Sequence, residues 1–175
     1  MKKFELTNEF ITNMFGTKLF RIRALVEFGD VEAGELGGYV EKESNLGHDD
    51  NAWVYDNAWV YGDAQVSGDA LVYGNARVYG NAWVYGNALV CSDEDYAYAH
   101  GFGSVNRTTT FFRLKDGGVG VRCGCFYGTL AQFRDKIRET HGETKKAQEY
   151  LMLADLMELR FEEDENEVGN RKYVE

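Results

Sequence analysis

The residues best equipped for chemistry in this chain are three histidines, His48, His100 and His141, and three cysteines, Cys91, Cys123 and Cys125. A zinc-activated water needs three such ligands converging on one point, with a fourth position open. His48 falls in a short loop, His100 in an acidic stretch and His141 at a predicted helix end, so their spacing offers no shared metal. "CGC", Cys123 to Cys125, sets two thiols two residues apart, which is half a zinc site with no second Cys or Cys-His pair to complete it. Two small residues packed in a tight hairpin account for that pair. "KDGGVGV", residues 115 to 121, is glycine-rich but lacks the following lysine and helix start of a phosphate-binding loop. Asp63 and Asp69 in "GDAQVSGDA" stand where a turn favours aspartate. No catalytic residue, metal ligand or cofactor is expected.

The elements that would position any of these groups are dominated by a repeat. "NAWVYGDAQVSGDALVYGNARVYGNAWVYGNALV", residues 57 to 90, repeats one six-residue phrase, Asn/Asp-Ala-x-Val-Tyr-Gly. Alanine recurs at 52, 58, 64, 70, 76, 82 and 88, and valine at 54, 60, 66, 72, 78, 84 and 90. A period of six does not keep a residue on one helical face, and Gly with Asn/Asp interrupts any long strand. A short strand and a corner, repeated, is the remaining reading. The hexads resemble the left-handed parallel β-helix family, in which an inward aliphatic residue is followed four positions later by an inward small one. Val60 with Ala64 and Val84 with Ala88 match that rule. The resemblance implies triangular coils of three hexads stacked at the ~4.8 Å spacing of paired strands, burying a core that no single unit could bury.

The pattern extends upstream. Val40 and Leu46 are six apart and Leu46 and Val54 eight, which predicts two further hexads with two extra residues extruded around His48-Asp49-Asp50. "KLFRIRALVEF" alternates as a strand that caps the open end. The expected organisation is a cap over residues 1–35, the repeat over 36–92, a linker over 93–106, a hairpin with two helices over 107–161, and a disordered acidic tail over 162–175. The hairpin is expected to turn at Asp116-Gly117, with Phe112 and Leu114 across from Val119, Val121, Cys123 and Cys125. Thr129 to Gln132 reads as a capping box opening the first helix. The second, from about Lys145 to Phe161, carries Leu153 and Leu156 beyond the stripe one contact requires. The whole is mainly β, a left-handed β-helix with a small α+β appendage.

Net charge is −10, from 19 basic and 29 acidic residues, which argues against non-specific nucleic-acid binding. "MKKFELTNEF" has no apolar run behind its lysines, and no stretch reaches the ~18 apolar residues of a membrane span. With no disulfide framework either, the expected location is the cytoplasm, with the thiols reduced.

Residues three hexads apart share a face. One face presents Trp53, Tyr55, Leu71, Tyr73 and Leu89, an apolar strip that the appendage or a second copy should cover. With Leu153 and Leu156 it suggests a homo-oligomer, a trimer or a dimer. Another face presents Trp59, Arg77 and Tyr79, suited to stacking and pairing with a nucleotide held between subunits. The coil also resembles that of hexapeptide acyltransferases, whose histidine base lies between subunits. His48 is the one residue in a comparable place, but its loop is short and the further C-terminal coils of those enzymes are missing.

End to end, the chain resembles a family of small proteins encoded by bacteriophages and prophages. The likeness lies in "RIRALVEFGDVEAGELGGYVEKESNLG", "NAWVYDNAWVYGDAQVSGDA", "TTTFFRLKDGGVGVRCGCFYGTLAQF" and "YLMLADLM". It implies an accessory, non-catalytic protein that binds and disables a host defence protein such as a CRISPR effector. Asp49, Asp50, Asp93, Glu94 and Asp95 are the acids expected to meet a basic surface on that partner. A sponge for a nucleotide signal is the alternative.

Overall fold

The computed structural model describes residues 1–103 and 105–162. The acidic tail expected from residue 162 therefore lies, beyond its first residue, outside the described residues. The repeat forms seven two-residue strands: β4 (Trp53–Val54), β5 (Trp59–Val60), β6 (Gln65–Val66), β7 (Leu71–Val72), β8 (Arg77–Val78), β9 (Trp83–Val84) and β10 (Leu89–Val90). Each is short because the next residues turn a corner. At that corner Gly62, Gly68, Gly74, Gly80 and Gly86 adopt positive φ, and Asp56 takes the same conformation, φ 51°, in the equivalent slot.

Strands join in parallel to those three hexads on. Trp53 pairs with Leu71 and Leu71 with Leu89, Trp59 with Arg77, and Gln65 with Trp83. Three separate parallel ladders result. Every alanine from Ala52 to Ala88 and every valine from Val54 to Val90 in the two series is 0% exposed, so the inward set is the one the period predicts.

Upstream, β3 (Leu36–Val40) adds to the β5–β8 ladder through Tyr39 with Trp59 and Val40 with Val60, and Leu46 bridges to Val66. These separations are two residues longer than those downstream, as the spacing of Val40, Leu46 and Val54 predicts. The two extra residues disturb the ladder at one corner, and buried backbone carbonyls there need other donors. Lys3 supplies them. Its ammonium is buried, donates to the carbonyls of Asp50 and Ala52 at 2.8 Å each, and lies over the Phe28 ring. Burial pulls the Lys3 pKa below the ordinary lysine value, with Asp50 opposing the shift. Asn45 serves the preceding corner in the same way, donating its amide to the carbonyls of Gly62 and Ala64.

The N-terminal cap is a hairpin rather than one strand. β1 (Phe4–Thr12) lies antiparallel to β2 (Lys18–Ala24), which pairs with β3, giving a five-stranded sheet ordered β1-β2-β3-β5-β8. Phe4, Ile22, Ala24 and Val31 close over the first rung as members of its core.

Residues 93–106, expected as a linker, are largely structured: β11 (Tyr96–Phe102) is the first strand of an antiparallel sheet with β12 (Arg107–Arg113), β13 (Val119–Cys123) and β14 (Phe126–Thr129). Alternation divides the sheet between two cores. Tyr96 and Phe112 join the core of the repeat, whereas Phe111 and Val121 meet α1 (Leu130–His141) and α2 (Lys145–Phe161). Phe111, not Phe112, therefore stands across from Val121. The turn is also longer than two residues: Arg113 pairs with Val119, and Gly117 takes φ 87° to close it. Thr129 does cap α1, its hydroxyl accepting from Gln132 N–H and its N–H bound by the Gln132 side chain. Tyr98 and Tyr127 cross the last corners so closely that a Cβ at Gly80 or Gly86 would strike a phenol oxygen.

Candidate binding surface

The groups with catalytic potential are dispersed, and the three histidines and Cys123 each have a partner. His48 stacks on Phe4 at 4.3 Å, and its Nδ1 accepts from the Lys3 backbone N–H at 3.2 Å. It fastens the N-terminus to the extruded corner. His100 Nδ1 is 2.8 Å from the Thr108 hydroxyl on the next strand, and His141 leans on Tyr150 at the end of α1. Cys123 is half-buried, with its sulfur accepting from the Thr109 hydroxyl at 3.2 Å and 3.9 Å from the Tyr150 oxygen. Burial, with Cys123 next in weight, pushes the Tyr150 phenol up to about 12. Cys125 does not share the Cys123 strand face: it sits exposed in the two-residue turn between β13 and β14. Among the described residues, no three His, Cys, Asp or Glu side chains are placed to hold a metal ion.

The expected apolar strip is not an open surface. Trp53 is 0% exposed, covered edge-on by Phe4 and Phe28. Tyr55, Leu71, Tyr73 and Leu89 are half-buried, and the two tyrosine rings stack at 4.2 Å. The chain's own N-terminus, not the appendage or a second copy, covers Trp53. Sequence could not show this, because Phe4 and Phe28 lie outside the periodic segment.

Nor are all five acids available to a partner. Asp50 Oδ2 accepts from Gly68 N–H at 2.5 Å, and Asp93 Oδ1 accepts from Arg77 N–H at 2.6 Å. Asp95 is buried and accepts from the backbone N–H groups of Cys91 and Ser92. These three carboxylates satisfy amides where the ladder ends or shifts. Asp49, Asp93 and Glu94 are exposed.

What the fold does present is the outer face of the five-stranded sheet. Arg21, Tyr39, Trp59 and Arg77 occupy matched positions across β2, β3, β5 and β8. The Arg21 guanidinium donates to the Tyr39 hydroxyl at 3.0 Å, that hydroxyl donates to Glu9 Oε1 at 3.1 Å, and Arg77 lies 4.6 Å from the Trp59 ring centre. Beside them Tyr61 and Tyr79 stack at 5.4 Å, and burial by its neighbours raises the Tyr61 pKa. Arg77 is exposed and makes no ion pair with a described residue, so its guanidinium is ordered on the indole with its polar edge free.

Trp59, Arg77 and Tyr79 are thus together, as expected, but as a comb. Arg77 takes one face of Trp59, and Tyr79 stacks on Tyr61.

The same sheet ends in a feature that sequence reasoning missed. Between β1 and β2, Asn13 accepts from Phe15 and Thr17 N–H groups through its side chain, and Gly16 closes the turn at φ 82°. This hydrogen-bonded tip holds Met14 89% exposed and Phe15 80% exposed. The signal was present: "TNMFGT" puts Asn and Gly around two residues between alternating runs.

Residues 64–78 and 70–86 match the model of a family described as the YdcK beta solenoid repeat. This region of the chain is similar to a β-solenoid repeat, in keeping with its parallel ladders. No curated protein matches the chain. No helix among the described residues is long and apolar enough to cross a membrane.

Proposed function

We propose that the chain is a non-catalytic binding protein whose β-solenoid, wound as a left-handed triangular β-helix, is a rod that displays the outer face of the five-stranded sheet. The observation that carries this reading is the surface itself: Trp59, Tyr61, Tyr79 and an Arg77 without an ion pair among the described residues on one sheet, with the Met14–Phe15 knob on the hairpin of that sheet. Tyr, Trp, Arg, Met and Phe are the side chains enriched at protein interfaces, and well-ordered ones lose little entropy on docking. The partner is a protein with an apolar pocket for Phe15 and a carboxylate for Arg77.

The resemblance to phage-encoded proteins supports a host defence protein as that partner, disabled by occlusion. The mechanism differs from an acid-led one, since three of the five acids hold backbone amides instead. Immobilised wild-type protein and a Phe15→Ser/Arg77→Glu variant are offered the same host lysate, and phage plating on defended hosts is scored with each gene. A defence protein captured by wild type alone, with plating rescued by wild type alone, supports the reading. Equal capture by both proteins refutes the surface, and plating unaffected by either gene refutes the role. The sponge reading is tested on the same material, because nucleotide released on denaturing purified protein would favour it.

A further inference from the structure

α2 has two apolar faces. Ala147, Tyr150, Ala154, Met157 and Phe161 are buried against the sheet and α1. On the opposite side Met152, Leu156 and Leu159 are exposed at 71%, 54% and 67%, a 4–3 spacing that makes one straight seam along a helix. Leu153, expected to widen that seam, is turned toward the appendage core instead. The seam is flanked asymmetrically. Asp155 lines one edge and Arg160 the other, both exposed. Asp155 uses Oδ1 for Arg134, and among the described residues Arg160 makes one hydrogen bond, at 3.4 Å to the Tyr96 carbonyl.

From this geometry we infer that α2 is a self-association surface on which a second copy lays its own α2 in parallel. Charge decides both the occupant and its direction. A parallel two-fold pair brings Asp155 of each copy to Arg160 of the other, twice over, in the g-to-e′ relation of parallel helix pairs. An antiparallel pair would set Asp155 against Asp155. Glu149, one turn before Met152, would meet its own copy, so the contact runs from Met152 to Arg160 and the helices diverge before it. Three apolar side chains per copy fall well short of the ~1,200 Å² of a standard interface, so the dimer is weak, with a midpoint of tens of micromolar.

Sedimentation equilibrium of the full chain from about 1 to 200 μM tests this. Wild type should pass from monomer to dimer, Leu156→Glu should raise the midpoint at least ~tenfold, and Phe15→Ser should leave it unchanged. Asp155→Arg and Arg160→Asp should each weaken association, and the double exchange should restore it. Circular dichroism melts confirm that each variant is folded. Wild type monomeric at 200 μM, or Leu156→Glu as dimeric as wild type, overturns the surface. Association strengthened by Asp155→Arg alone overturns the parallel arrangement.

Discussion

From Ala52 to Val90 the inward series holds only alanine and valine and none of them is exposed, whereas at the two ends apolar side chains point both inward and outward. The body repeats one local solution: a two-residue strand, a corner residue at positive φ and a fully buried alanine. The ends solve their problems once. Lys3 and His48 secure an irregular corner, Phe4 and Phe28 cover Trp53, and a four-stranded sheet closes the last rung with Phe112 and Tyr96. Periodic structure leaves no inward position free to vary, so groups able to recognise something else appear on outward positions of the walls and at the ends.

That division can be broken most severely from inside the ladder. Val66→Asp places a charge at a fully buried position among alanines and valines, at a cost of several kcal/mol. Cooperative melting by circular dichroism should disappear. Asn45→Leu should cost about 3 kcal/mol, because two buried carbonyls and the Lys42 N–H lose their partner, and urea unfolding will measure it.

Corner substitutions sharpen the contrast between constrained and tolerant copies of one slot. Gly80→Ala should cost about 2 kcal/mol, since the backbone is left-handed and the Tyr98 hydroxyl occupies the space a Cβ needs. Asp56→Gly, in the equivalent slot, relieves a non-glycine left-handed residue but loses the hydrogen bond to Gly74 N–H. Its net change should stay within about 0.5 kcal/mol.

The smallest effect is expected from pH. Burial raises the phenol pKa of Tyr55, Tyr61, Tyr73, Tyr96 and Tyr150 above the ordinary value. A raised phenol pKa means the unfolded chain releases its proton first, so stability present below about pH 10 is lost as pH climbs beyond it. Lys3, shifted downward, acts oppositely and alone. The urea midpoint should therefore fall between about pH 9 and 11, and a rise would show Lys3 to dominate.

Legibility in the sequence follows the same division. The Val and Ala ladders, the corner glycines and the two-residue offset before Val54 could be read because a fixed period constrains them together. The burial of Trp53 could not, since its identity at an outward hexad position says nothing of what Phe4 and Phe28 do from outside the repeat. The bonds of Asp50 and Asp95 to backbone amides were not legible either: an acid near a corner can face solvent or cap an amide, and only the register decides. Trp59, Arg77 and Tyr79 were found from the three-hexad rule, while the stacking of Arg77 on Trp59 and of Tyr79 on Tyr61 depends on rotamers that spacing does not specify.

If the inward ladder carries the fold and the outer face of the five-stranded sheet carries recognition, the two must be separable by mutation. The direct measurement is the affinity of the Phe15→Ser/Arg77→Glu variant for whichever partner wild type captures, taken with its melting temperature. Both substitutions lie on exposed side chains, so melting should stay within a few degrees of wild type while affinity falls at least ~100-fold. Unchanged affinity in a normally folded variant would contradict that separation.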